Sequence, residues 1–204
     1  MEVGGSQFRN PSPHIQTFRV PNLSEINFPA LRAGRLARLQ QMMKRHEIPV
    51  CLFYNPGNIR YATGTEVMGV WTATTLARYA VVPADGSPVM FEYMNSMHVS
   101  EKFVDDVRPA ANWQYKATAG LAAANKWADE IKSVMAELGY AGEPLAVDKL
   151  DGFGFIALQN AGITVTDPSP ATVDAREVKT PEEIQLMILN GAAGDAMLAD
   201  FEAA

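Results

Sequence analysis

Short apolar runs alternate with longer amphipathic stretches along most of this chain, and that alternation constrains its fold more than any other feature. VCLFY (residues 50–54) follows a segment, 29–46, in which Leu31, Leu36, Leu39, Met42 and Met43 recur at the helical period, with Arg32, Arg35, Arg38 and Lys44 opposite. Pro29 suits the first turn of that helix and Pro49 ends it. TLARYAVVP (75–83) and SPVMFEY (87–93) are strands that meet across Ala84-Asp85-Gly86, a hairpin. NSMHVSEKF (95–103) predicts a short helix, with a weak strand near 107–113. Residues 119–139 predict a long helix carrying Leu121, Ala124, Trp127, Ile131, Met135 and Leu138 on one face. PLAVD (144–148) and ITVTD (163–167) are further strands, separated by a helix over 152–161. The pattern predicts an α/β sandwich in which at least one hairpin breaks a parallel sheet.

The flanks differ from this core. Residues 1–28 form an extended arm, because Pro11, Pro13 and Pro21 each disfavour helix, yet Ile15, Phe18, Val20 and Leu23 need a surface to lie on. The α/β domain itself spans 29–175, and 176–204 is a link followed by one more helix. Thr180-Pro181-Glu182-Glu183 starts that helix with a capping residue, a proline in the first turn and an acidic box partner. Its apolar residues Ile184, Met187, Ile188, Met197 and Leu198 have nothing after them to cover them. The expectation is a chain truncated in the first helix of a second domain.

Between the first two strands stands NPGNIRYATG (55–64), in which Ile59 and Tyr61 keep an apolar thread between two turn signals. Residues 58–64 of it predict one irregular helical turn, and the stretch braces the end of the first strand.

Composition excludes several classes of function. Of 204 residues 48% are apolar and 20% charged, and the net charge is −6, which argues against a nucleic-acid partner. No apolar run approaches the roughly 20 residues of a membrane span. The single cysteine, Cys51, lies inside an apolar strand and implies a reducing compartment, so a cytoplasmic location is expected.

No complete catalytic motif is present. His14, His46 and His98 are scattered, and Asp105 and Asp106, adjacent on an extended segment, point to opposite faces. Ser87, Ser96 and Ser100 lack a nucleophile elbow. Gly152-Phe153-Gly154 is a fragment of a dinucleotide fingerprint without its third glycine or acidic partner.

VCLFYNPGNIRYATG, then a strand bearing an arginine, then Ala84-Asp85-Gly86 and a further strand, resembles the amino-terminal domain of the creatinase/prolidase family. The N-I-R-Y-x-T-G signature falls on Asn58, Ile59, Arg60, Tyr61, Thr63 and Gly64. AREVKTPEEIQLM (175–187) is similar to the family's R-x-x-K-x-x-x-E-I link. The resemblance implies a three-layer α/β/α domain with a mixed sheet in a ribonuclease-H-like arrangement, followed by a pita-bread catalytic domain that binds a divalent metal. None of that ligand set lies in this chain, which is therefore expected to bind no cofactor itself.

The longer stretch TEVMGVWTATTLA (65–77), with Trp71, Arg78 and EYMNS (92–96), is similar to the family's dimethylsulfoniopropionate lyases. The resemblance implies an Xaa-Pro peptidase-like hydrolase as the activity of the whole protein, with a lyase as the alternative. It also implies a homodimer or higher homo-oligomer in which this domain completes a partner subunit's site for a small-molecule or peptide substrate. Trp71 then stacks on a substrate cation or packs under the insert, and Arg78 clamps a substrate carboxylate or pairs with an internal acid such as Glu92. Asn58, Arg60, Tyr61 and Gly64 are expected to be structural, with Arg60 inside the turn. A stand-alone binding module is the rival reading, and a ribonuclease-H-like nuclease is disfavoured by the missing carboxylate cluster.

Overall fold

The computed structural model describes residues 19–65, 75–114, 116 and 119–203. The chain divides into two compact units. One is Phe28–Thr180; the other joins the described residues before Phe28 with those from Pro181 onward.

Helix α1 (Phe28–Arg45) leads into β1 (Val50–Phe53), and α2 (Pro56–Thr63) follows it. Strands β2 (Tyr79–Pro83) and β3 (Val89–Glu92) form the expected hairpin. A 3₁₀ turn (Met94–Ser96) and the single-turn helix α3 (Met97–Ser100) lead to β4 (Asp106–Pro109). The chain continues through α4 (Gly120–Glu137), β5 (Leu145–Val147), α5 (Gly152–Asn160), β6 (Val165–Thr166) and α6 (Ser169–Glu177).

The six strands lie in the order β4-β3-β2-β1-β5-β6. Pairing is antiparallel for β1–β2 and β2–β3 and parallel for β1–β5, β3–β4 and β5–β6, so the sheet is mixed. Every residue of β1 is buried because both faces of the sheet are covered. Val50, Leu52 and Tyr54 pack with Tyr79, Phe91, Trp113, Trp127 and Leu158 under α4 and α5. Cys51 and Phe53 pack on the other face with Leu39, Met43, Ile59, Ala171 and Ala175 from α1, α2 and α6. The result is the three-layer α/β/α sandwich.

Two segments depart from the sequence reading. Residues 56–63 form a regular helix rather than an irregular turn: Asn55 Oδ1 accepts from Gly57 N at 2.8 Å, Pro56 fits the first turn, and Gly64 closes the end at φ 72°. Helix α6 stands where the sequence reading placed no element after the strand ending at 167, because it buries only the small residues Ala171, Thr172 and Ala175 and so carries no apolar stripe.

In the second unit, Arg19 Nη2 meets Glu25 at 2.7 Å beside a 3₁₀ turn (Leu23–Glu25). Helix α7 (Pro181–Ala203) has Glu182 and Glu183 in its first turn, which complements the helix dipole. Ile184, Met187, Met197, Leu198 and Phe201 on it are exposed.

Candidate functional site

Two polar networks, one part-buried and one buried, organise the region that the sequence singles out. The first is centred on Asp148, at the end of β5. Parallel pairing of β1 with β5 brings its carboxylate beside the chain as it leaves β1. Oδ1 accepts from Tyr54 N at 2.8 Å, and Oδ2 accepts from Asn55 N at 3.1 Å and from Asn58 Nδ2 at 2.8 Å. Burial pushes the carboxyl above its ordinary range, and these bonds pull it partly back. The start of α2 is therefore fixed by an acid 90 residues further along.

Asn58 spends its other end on Arg176, whose Nη2 donates to Asn58 Oδ1. Tyr61, one turn on, donates from its hydroxyl to Ala175 O at 2.7 Å. The guanidinium of Arg176 lies 5.1 Å from the Tyr61 ring centre, and that of Arg35 lies 5.5 Å from it. Arg60, expected to brace the turn from within, has an exposed side chain, and its carbonyl alone takes part, accepting from Gly64 N at 2.9 Å.

The second network surrounds Arg78. Extending the β2–β3 register by one pair beyond Tyr79–Phe91 sets Arg78 opposite Glu92. Their side chains, 3% and 5% exposed, meet at 2.8 Å between Nη2 and Oε2. Arg78 Nη2 also donates to Thr65 Oγ1 at 2.8 Å, and Thr65 bonds the Thr63 hydroxyl at the same distance. Ser100 Oγ and Tyr93 N complete the shell of Glu92 at 2.7 and 3.0 Å. Burial pushes the Arg78 guanidinium below its ordinary range and Glu92 offsets part of that. Arg78 is thus held inside this chain's own core, a few residues after the stretch 66–74. Trp71 belongs to that stretch and lies outside the described residues.

The remaining candidates carry no shared chemistry. His46 Nε2 sits 2.7 Å from Asp174 Oδ2, His98 is exposed, and His14 lies outside the described residues. Asp106 is clasped by Arg108 at 2.9 and 2.8 Å. The amino terminus of α5 is closed by Asp151, which accepts from Gly154 N at 2.8 Å and from Trp113 Nε1, so the glycine pair there offers no cradle for a phosphate. Among the described residues no three His, Cys, Asp or Glu side chains converge as a metal site. No helix among the described residues is long and apolar enough to cross a membrane.

The molecule is a mixed α/β sandwich braced by two polar networks, one around Asp148 and one around Arg78. The chain belongs to the creatinase/prolidase N-terminal domain family: residues 35–178 match the model described as "Creatinase/Prolidase N-terminal domain". It is 31% identical over 191 residues to the dimethylsulfoniopropionate lyase DddP of Roseobacter denitrificans, and 32% identical over 191 residues to that of Roseovarius nubinhibens. Each alignment covers 92% of this chain and 42% of the relative, so the chain spans less than half the length of these curated relatives. Among solved structures it is similar to a prolidase from Thermococcus sibiricus, with TM-score 0.55, 20% identity, and 76% of this chain and 39% of that one covered. That likeness shows the fold.

Proposed function

We propose that this chain is the non-catalytic amino-terminal domain of a metal-dependent creatinase/prolidase-family enzyme that cleaves dimethylsulfoniopropionate. It serves dimerisation and completes a partner subunit's substrate site. Of the two activities left open by the sequence, the lyase is favoured by one observation, the 31% and 32% identity to two such lyases across 92% of the chain. An Xaa-Pro peptidase is the rival, and its solved representatives support only the fold.

In this reading the divalent metal belongs to a domain after α7, and the exposed apolar residues of α7 suit a helix that packs into it. Trp71 contributes a ring face for the substrate's sulfonium cation. Arg78 acts through the stretch 66–74: it bonds Thr65, the residue before that stretch, and is itself held by Glu92.

The test is to produce the protein encoded by the complete natural reading frame and to assay it, with and without divalent metal, for dimethyl sulfide release and for Xaa-Pro dipeptide hydrolysis. Metal-dependent dimethyl sulfide release, absent from the 204-residue chain alone, is expected. Dipeptide hydrolysis without dimethyl sulfide release would replace the lyase by the peptidase. Activity of the isolated chain would overturn the non-catalytic reading.

A further inference from the structure

The two motifs that mark this chain, the one around Asn58 and Tyr61 and the one around Arg176, lie far apart in sequence and touch in the fold. Tyr61 Oη donates to Ala175 O across 114 residues, and Arg176 donates to Asn58 across 118. Asn58 is in turn bonded to Asp148, which holds the amides leaving β1. A continuous chain of polar contacts therefore runs from the ends of β1 and β5, through α2, to the last turn of α6.

Helix α6 needs this hold. Its buried residues are Ala171, Thr172 and Ala175, while Val173 is 64% exposed. Small side chains bury little apolar area, so directional bonds carry much of the helix's placement. Tyr61 satisfies one of the last carbonyls of α6, a group that a helix end leaves without an internal partner. Only Val178, Lys179 and Thr180 then separate α6 from Pro181, where the second compact unit begins.

We propose that Asn58, Tyr61 and Arg176 form a joint that fixes the last turn of α6 and so sets the direction in which the chain leaves the α/β domain. The joint is independent of the substrate reading above, and its test uses no activity.

Hydrogen exchange of the 204-residue chain is compared with that of Tyr61→Phe, Arg176→Gln and Arg176→Lys. Tyr61→Phe keeps the ring and removes only the hydroxyl that meets Ala175. It is expected to speed exchange in Ser169–Glu177 by about fivefold or more, the cost of stranding one buried carbonyl. The amides of β1, β2 and α4 should keep their protection. Arg176→Gln should act in the same place. Arg176→Lys should not restore protection, because an ammonium keeps the charge but lacks the planar fork that reaches Asn58 while lying against Tyr61. Unchanged protection of α6 in both Tyr61→Phe and Arg176→Gln, full restoration by lysine, or loss spread evenly through the sheet would each overturn the joint.

Discussion

Arg78 and Glu92 face each other across the β2–β3 hairpin, almost wholly buried and joined at 2.8 Å. Such a pair gives little net stability over an apolar pair of the same size, but losing one member leaves a buried charge uncompensated. Glu92→Ala or Arg78→Ala alone should destabilise the domain by about 3–5 kcal/mol. The double variant Arg78→Met/Glu92→Leu should cost far less than the two single losses together. Urea unfolding of the four proteins checks this, and additive losses would mean that the two charges do not depend on each other.

Gly64 ends α2 at φ 72°, a conformation that L-residues with a Cβ adopt at a cost of about 1–2 kcal/mol. A Cβ there would also overlap the Cγ and Cδ of Arg32. The arginine stem is flexible, so the backbone effect should dominate. Gly64→Ala should lower stability by about 1–2 kcal/mol, and Gly64→Asn by less, because asparagine visits this region more readily. Adding Arg32→Ala to Gly64→Ala should recover little. Full recovery in thermal unfolding would show that the clash with Arg32, not the dihedral, fixes glycine there.

The hairpin illustrates what was legible in the sequence. Ala84-Asp85-Gly86 between two apolar runs fixes both the turn and the register, and the register alone sets Arg78 opposite Glu92. The layers were legible too, since α1 and α4 carry clear apolar stripes. Helix α6 was not, because alanines and a threonine form its buried face. Asp148 reads as an ordinary acid at a strand end, and its role depends on the parallel pairing of β1 with β5, which no local pattern specifies. The same holds for Tyr61 and Arg176. Each stands in a visible motif, but their contact is a property of the topology.

Cys51 is fully buried in the central strand, and burial, with Asp148 adding to it, pushes its thiol well above the ordinary range. The thiolate, the reactive form, is therefore unavailable until the sheet opens. An alkylating reagent at neutral pH should modify the folded chain at least about 10³-fold more slowly than the denatured one, the lower end of folding equilibrium constants. Mass spectrometry of timed samples measures the ratio. Comparable rates would show that β1 opens locally.

The Asp148 carboxyl titrates above its ordinary value of 3.8 in the folded chain, because burial outweighs the bonds it accepts from Tyr54, Asn58 and Asn55. Between that value and the raised one, the folded state holds more proton than the unfolded state. Stability from this group therefore falls as pH rises through the window, at up to about 1.4 kcal/mol per pH unit. Below the window both states are protonated, and above it both are ionised, so the slope vanishes at either end. Asp148→Asn removes the titration but turns an amide donor toward Asn58 or the backbone amides, which should cost about 1–3 kcal/mol where Asp148 is protonated. The stability difference between the natural chain and Asp148→Asn should then be largest near pH 3.8 and shrink as pH rises. Urea midpoints measured at half-unit intervals resolve it. A difference that grows with pH would mean that the three donors around the carboxylate, not burial, dominate the energetics of Asp148.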